Sequence, residues 1–366
     1  METGEEKWLA YPIQRDDAES RASLDVLPGY AWTPDDKAVV MSYGGEIWRV
    51  PVDGTPAVKI PLSVDVAMDV GPEVRFSYRV EDSPTFVAKQ IRDVAVSPDG
   101  RRLAFVSMDH LYIADLPNGQ PKRMTDLAVG EYEPTWSPDG RYVGFVTWAG
   151  EAGGHIYRIA ADGKSKPQQV THVAALYEEP AWSPDGKRIV AIRAAARDLR
   201  DATGPFFGQG LGAQFVWVPA AGGDVVMISP TGNRYAPHFT SDSTRIFAYN
   251  GQDGLVSFRW DGTDVKPVLK VTGPLPPQGA LDLDQDEMPS VDLPMPKYGL
   301  EPTAPTPPPA AVVIMSPKGD RAIAQVGSDI YVVTVPYVGG TTPTVSVANP
   351  ETAAFPVKKL TDIGGQ

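Results

Sequence analysis

Residue types suited to catalysis are scarce in this chain of 366 residues. Histidine occurs four times, and no pair has the His-x-His or His-Glu-x-x-His spacing that binds catalytic metals. The Gly-x-Ser-x-Gly sequence that presents a serine nucleophile does not occur. Cysteine is also absent, which excludes disulfides, thiolate zinc sites and cysteine nucleophiles. The sequence therefore predicts no catalytic residue, no metal ligand and no cofactor.

Adjacent carboxylates are the remaining group with catalytic chemistry. They occur at Asp16-Asp17, Asp35-Asp36 and Glu178-Glu179. General acid–base catalysis needs two carboxyl groups facing one substrate, whereas neighbouring residues on a β-strand point to opposite faces. On strands, these pairs are therefore not expected to form catalytic dyads.

Composition restricts the fold and the partners. The 35 glycines and 37 prolines indicate many short strands joined by turns. A net charge of −13 argues against nucleic acid as a partner, because phosphate binding needs clustered Lys and Arg. No apolar run approaches the roughly 18 residues of a membrane-spanning helix, so no membrane span is expected.

A repeat organises nearly the whole chain. Each unit opens with a variant of Ser-Pro-Asp-Gly and continues into an apolar run of strand length. The turns start at Thr33, Ser97, Ser137, Ser183, Thr240 and Ser316. Proline presets φ for such a turn, aspartate caps it through its side chain, and glycine supplies a positive φ. We interpret these aspartates as turn residues, because the spacing of a calcium-binding loop is absent.

Further strands complete each unit. A strand with an internal aromatic residue follows the apolar run, as in Glu46–Val50 and Leu111–Ala114, and a second turn and a fourth strand then close the unit. Units of four strands that cannot cover their own faces are typical of propeller blades. The predicted fold class is all-β. We predict a β-propeller of about six four-stranded blades, the number being six or seven.

We predict one propeller domain spanning residues 1–366. Irregular insertions are expected near 64–90, 194–212 and 274–309, the first with an extra strand pair and the third acidic and proline-rich. Residues 1–24 are expected to hold an outer strand and lead-in from an incomplete preceding blade, and Lys358–Thr361 to form an outer strand. Ends in mid-repeat indicate either strands that help to close the ring or part of a longer protein.

The residues before each inner strand are the best candidates for binding, because loops from all blades converge there. Tyrosine recurs at this place beside Glu or Arg, which could bind a peptide, a small polar ligand or a partner loop. The alternative is that these side chains only fill and solvate the funnel. The candidates are Tyr30, Arg92, Asp93, Glu131, Tyr132, Glu133, Tyr177, Glu178, Arg234, Tyr235 and His238.

The Ser-Pro-Asp-Gly units followed by strands such as Ile156–Ile159 resemble the TolB-like repeats of bacterial propellers. Finer segments, Leu27–Asp35, Gly153–Arg158 and Gly254–Asp264, resemble bacterial proteins in which such a propeller precedes an amidohydrolase domain. The catalytic His-x-His motif of that family lies on a barrel absent from this chain, so no catalytic or metal residue is carried over.

This resemblance implies a non-catalytic module that binds ligand, gates access or acts as a scaffold for an amidohydrolase domain. It also implies a periplasmic or secreted location, with that domain or a periplasmic protein or peptide as partner. Two alternatives are a stand-alone TolB-like interaction propeller and the gating propeller of a serine peptidase.

Overall fold

The structure, a computed structural model, describes residues 8–11, 13, 29–68, 83–197, 212–275, 306–336 and 342–361. In these ranges the chain forms six sheets with four to five strands each. The chain divides into two compact units, the smaller containing the described residues up to Val87 and the larger beginning at Ala88. The predicted all-β propeller class, with about six four-stranded blades, is confirmed.

The blades are numbered along the chain, and neighbouring strands pair in chain order. The first blade lies in the smaller unit and contains β1 (Tyr30–Trp32), β2 (Ala38–Tyr43), β3 (Glu46–Pro51) and β4 (Val58–Ile60). The second contains β5 (Arg92–Val96), β6 (Arg102–Ser107), β7 (His110–Asp115) and β8 (Lys122–Arg123). The third contains β9 (Gly130–Trp136), β10 (Tyr142–Trp148), β11 (Ile156–Ala160) and β12 (Gln168–Gln169).

The remaining blades follow the same order. The fourth contains β13 (Leu176–Trp182), β14 (Arg188–Ala194), β15 (Gln214–Pro219) and β16 (Val226–Pro230). The fifth contains β17 (Tyr235–His238), β18 (Arg245–Asn250), β19 (Gly254–Arg259) and β20 (Lys266–Thr272). The sixth contains β21 (Val312–Met315), β22 (Arg321–Val326), β23 (Asp329–Thr334) and β25 (Val357–Lys359), with β24 (Thr344–Ser346) lying before its last strand in sequence.

Two 3₁₀ turns also lie in the described ranges, Gly150–Ala152 and Pro350–Thr352. No helix in those ranges is long and apolar enough to cross a bilayer.

The Ser-Pro-Asp-Gly turns have the predicted geometry. The Ser137 hydroxyl donates to Asp139 Oδ1 at 2.7 Å, and Asp139 Oδ1 also accepts from the Arg141 backbone N–H at 3.0 Å. Gly140 has φ +67°, in the left-handed region that glycine adopts without strain. These hydrogen bonds hold the pKa of Asp139 at about 2. The aspartate is therefore used to shape the turn.

Apolar residues pack between consecutive blades of the larger unit. Four buried clusters join the second blade to the third, the third to the fourth, the fourth to the fifth, and the fifth to the sixth. Strand β18 illustrates the pattern, since Ile246 and Ala248 pack toward the fourth blade while Phe247 and Tyr249 pack toward the sixth. The period of two along a strand thus serves two interfaces.

The end of the chain links two blades. Strand β25 pairs antiparallel with β23, which confirms the outer strand expected at Lys358–Thr361. Before reaching it, the chain adds β24 as a fifth strand parallel to β20 of the fifth blade. The sequence did not indicate that this segment joins the sheet of the fifth blade.

Parts of the expected insertions lie outside the described residues, namely 69–82, 198–211 and 276–305. The extra strand pair near Arg75–Val80 and the acidic segment around Asp282 fall there. The 194–212 insertion lies between β14 and β15, which pair with each other within one blade. Residues Trp8–Tyr11 belong to none of the six sheets, and the rings of Trp8 and Tyr11 contact each other instead. A single domain over 1–366 stays a prediction.

We predict that Asp185→Ala lowers the free energy of unfolding by about 1 kcal/mol, because two hydrogen bonds of a turn are lost. Asp185 Oδ1 accepts from the Ser183 hydroxyl at 2.6 Å and from the Lys187 N–H at 3.0 Å. Urea denaturation measures the change. Asp224→Ala is the matched control, since the partner of that aspartate among the described residues is His172 at 3.3 Å. Equal midpoints for the two variants would contradict the role assigned to the turn.

Candidate functional site

The first strands of the five blades in the larger unit lie side by side. They are β5, β9, β13, β17 and β21. Most of the candidate residues lie in the first half of these strands or just before them, whereas His238 is the last residue of β17 and Tyr30 lies in β1. Their environment decides which of them a ligand could reach.

Four of these strands contain a β-bulge at the same place. The bulged residues are Asp93, Glu133, Glu179 and Ala236, each four positions before the Ser or Thr of the next turn. Their φ angles are +51°, +50°, +52° and +53°. Positive φ is uncommon for residues other than glycine, so the surrounding contacts must hold it.

The bulged residues bond to one another from blade to blade. Asp93 Oδ2 accepts from the Glu133 backbone N–H at 3.1 Å, and Glu133 Oε2 accepts from the Glu179 N–H. Glu179 Oε2 in turn accepts from the Ala236 N–H at 2.5 Å. We call Asp93, Glu133 and Glu179 the bulge carboxylates. Each satisfies the unpaired N–H that the bulge creates in the next blade.

His238 makes a different kind of link after Ala236, which has no carboxylate, because its partner Met315 lies directly before a turn and is not at a bulge. Its Nδ1 lies 2.7 Å from the Ala236 carbonyl oxygen, and its Nε2 accepts from the Met315 N–H at 2.9 Å. These contacts require a neutral ring with the proton on Nδ1. Burial lowers the pKa of His238 to about 4, which agrees with that state. The structure thus uses His238 to join the fifth and sixth blades.

Glutamates at this end have raised pKa values. Burial, with Glu179 and Glu178 nearby, raises the pKa of Glu133 to about 8. Burial and the charge of Glu179 raise the pKa of Glu178 to about 7. Burial also raises the pKa of Glu179. Carboxyl groups that are close together and poorly hydrated favour their neutral forms.

Glu131 lies between the third blade, to which it belongs, and the second blade. Its side chain is fully buried, Oε2 accepts from the Leu111 N–H at 2.7 Å, and Oε1 accepts from the Thr125 hydroxyl. Both partners belong to the second blade. Glu131 therefore ties two blades together and is out of reach of a ligand.

Most of the candidate tyrosines also bond to backbone or to a carboxylate. The buried Tyr177 donates to the Val173 carbonyl at 2.8 Å, and Tyr235 donates to the Ala311 carbonyl. Tyr132 is half-buried, and burial together with a hydrogen bond to Asp109 raises its pKa. The hydroxyl groups of these three tyrosines are therefore used for hydrogen bonds within the fold.

The candidate arginines and Tyr30 lie in different settings. Arg234 Nη2 donates to Asp253 Oδ2 at 2.5 Å, while Arg92 is exposed at the start of β5. Tyr30 is exposed in β1 of the smaller unit.

Glu178 differs from the other acidic candidates. It is half-buried, and no hydrogen-bond donor or cation among the described residues pairs with it. It influences the pKa of Glu133, so it lies at the same end of the strands. Glu178 is therefore the candidate carboxylate that remains available to a ligand.

Glu179 was not among the candidate site residues, although it completes the set of bulge carboxylates. The available signal was positional, because a carboxylate stands four residues before the turn in three successive units, followed by proline in two of them. In the described part of the chain, no three His, Asp or Glu side chains are grouped so as to hold a metal ion.

Comparisons with known proteins agree with the repeat. The family model described as the TolB beta propeller domain matches residues 89–202, which confirms the predicted TolB-like repeats in this region. A relative in Bacillus subtilis (strain 168), named "Uncharacterized peptidase YuxL", is 30% identical over 128 residues. That match covers 32% of this chain and 19% of the relative, so the chain spans about a fifth of the curated relative's length.

Two solved structures align with this chain at low sequence identity. TolB from Acinetobacter baumannii aligns with 20% identity and a TM-score of 0.37, over 64% of this chain and 52% of that chain. A puromycin-hydrolyzing peptidase of Mycobacterium tuberculosis aligns with 16% identity and a TM-score of 0.36, over 65% and 36% respectively.

For Glu131, we predict that replacement by Leu lowers the free energy of unfolding by about 1–3 kcal/mol, because a buried N–H loses its acceptor. Glu131→Gln should cost less, since its amide oxygen can still accept from Leu111. Chemical denaturation of both variants measures the difference. The same loss in both would show that the hydrogen bond is unimportant.

The raised pKa of Glu133 makes stability depend on pH. The folded chain binds this proton more tightly than the unfolded chain, where the pKa is 4.5, so the free energy of unfolding falls as pH rises from 4.5 to 8. His238 acts in the opposite sense, but only between pH 4 and 6.5. Denaturation at pH 6.5 and pH 8 therefore isolates the carboxyl effect, and we expect Glu133→Gln to reduce the decline.

The exposed Glu151→Gln is the control for the change of charge, and it should keep the wild-type decline. A Glu133→Gln variant with the wild-type pH dependence would refute the assignment of this proton to Glu133.

Proposed function

We propose that this chain is a non-catalytic propeller module that binds a cationic group of a peptide or small polar ligand beside Glu178. The observation that carries the proposal is the contrast between Glu178 and its neighbours. Asp93, Glu133, Glu179 and Glu131 all accept hydrogen bonds within the fold. Glu178 has no such partner among the described residues, and a half-buried carboxylate gains most from a ligand that supplies a positive charge.

We further propose that the module serves an amidohydrolase domain, by binding ligand, gating access or acting as a scaffold. The support is the sequence resemblance of segments such as Leu27–Asp35 and Gly254–Asp264. A periplasmic or secreted location, and a periplasmic protein or peptide as partner, are proposed on the same basis.

The gating propeller of a serine peptidase is the second candidate. The support is the 30% identity over 128 residues to the Bacillus subtilis relative, whose name is that of a peptidase. A stand-alone TolB-like interaction propeller is the third, supported by the match of residues 89–202. The reading frame around this sequence in its genome separates the three, through a His-x-His barrel, a serine hydrolase domain or neither.

Binding to Glu178 can be measured by isothermal titration calorimetry of the 366-residue chain with trilysine and triglutamate. We expect the cationic peptide to bind and the anionic peptide not to bind, and Glu178→Gln to weaken trilysine binding several-fold. Glu151→Gln removes the same charge from an exposed site and should leave the affinity unchanged. Equal effects of the two variants would refute the site, and turnover of a dipeptide or cyclic amide by the purified chain would refute the non-catalytic role.

A further inference from the structure

A cationic pocket lies between the fourth and fifth blades, at the end of the strands opposite to the bulges. Its volume is about 570 Å³, within the range of small-molecule sites. It is bounded by the start of β14, by the turn before β18, and by the turn joining β19 to β20. Its charged lining consists of four cations, Arg188, Arg245, Arg259 and Lys266, and two carboxylates, Asp261 and Asp264, and Trp260 lines it as well.

The pocket is positive although the chain is strongly acidic. Arg245 is held in place, with Nε donating to Ser257 Oγ at 3.0 Å and Nη1 donating to Asp264 Oδ2 at 2.7 Å. The same Asp264 oxygen also lies 3.4 Å from Arg259 and 3.3 Å from Lys266. One carboxylate therefore faces three cations, and an additional anion at this place would be stabilised.

Arg188 contributes a guanidinium group that is held by aromatic rings. Its Cζ lies 5.2 Å from the ring centroid of Trp217 and 4.1 Å from that of Trp260. These cation–π contacts fix its position but use none of its N–H groups as conventional donors. Within the described residues, no oxygen accepts a hydrogen bond from the Arg188 guanidinium.

The interface between the second and third blades shows the structural role of an arginine at this repeat position. Arg102 stands at the same place in its repeat, five residues after the Ser of the turn, and it also stacks on a tryptophan, Trp136. Its guanidinium donates to the Ala161 carbonyl at 2.9 Å and to the Gly140 carbonyl at 3.1 Å. Both acceptors come from turns of the next blade.

In the fifth blade, neither of the corresponding backbone carbonyls accepts a hydrogen bond from Arg188 among the described residues. Trp260 stands where the third blade has Ala161, so a ring occupies the place of contact. Ser243 stands where the third blade has Gly140, and its carbonyl accepts from the Trp260 indole N–H at 2.8 Å. Arg188 is thus fixed by two rings, half-exposed, and left with unused donors.

We propose that this pocket binds an oxyanion group of a small ligand, a carboxylate or a phosphate. Arg188 supplies a pre-positioned, two-pronged donor, which suits the geometry of both groups. Arg259 and Lys266 are exposed at the rim and supply further charge. The site is separate from Glu178 and selects ligands of the opposite charge.

Inorganic phosphate and succinate are the probes, titrated separately into the full chain at low ionic strength with calorimetric or NMR detection. We expect saturable binding of at least one of them, weakened by added NaCl, and a loss of at least about tenfold in affinity in Arg188→Gln. The preferred probe identifies phosphate or carboxylate as the recognised group. Arg141→Gln, in the equivalent turn region of another blade, removes one exposed positive charge and should bind as the wild type does.

Loss of Arg188 could also disturb the two tryptophans, so a second variant is needed. Arg259 and Lys266 have side chains 62% and 61% exposed, and the double variant Arg259→Gln/Lys266→Gln should retain the wild-type melting temperature while binding the anion more weakly. The proposal is overturned if neither probe binds saturably to the wild type, or if the Arg188 and Arg141 variants bind equally well.

Discussion

Burial of sheet faces between neighbouring blades is the interaction on which the larger unit depends. A four-stranded sheet of this length has two apolar faces and cannot cover either by itself. In β18, Ile246 and Ala248 pack against one neighbour, and Phe247 and Tyr249 against the other. The central strands β10, β14 and β18 are therefore apolar on both sides, whereas β22 exposes Arg321, Ile323 and Gln325 on one side. The candidate polar residues lie toward the ends of the strands.

The bulge carboxylates show how one end is used. A bulge leaves a backbone N–H without its partner in the sheet, and the carboxylate of the preceding blade accepts it. The same groups that resemble a binding site in sequence thus provide the alignment between blades. Where the bulged residue is alanine, His238 links the blades through a different N–H, that of Met315. Among the candidate carboxylates in the described residues, Glu178 has no such partner within the fold.

At the opposite end, one pocket has the opposite charge. There, Trp260 stands where the third blade has Ala161, and Arg188 stacks on its ring instead of donating to carbonyls of the next blade as Arg102 does. A repeat makes such changes visible, because the unmodified copy at Arg102 shows the structural use of the same position. Departures from the repeat, rather than the repeat itself, mark the places where binding can develop.

The amino-acid sequence by itself determined the all-β class, the blade repeat and the turn role of the aspartates, because turn chemistry and the period of two are local properties. It also located Glu131, Glu133 and Glu178 at one end of the blades. Only the tertiary structure separated their roles, since Glu131 and Glu133 each accept from a donor of another blade, whereas Glu178 has none among the described residues. The pairing of β24 with the fifth blade and the stacking of Arg188 on Trp260 likewise depend on contacts between residues far apart in the chain. Local patterns carry no information on which blade supplies a hydrogen-bond partner, and packing decides it.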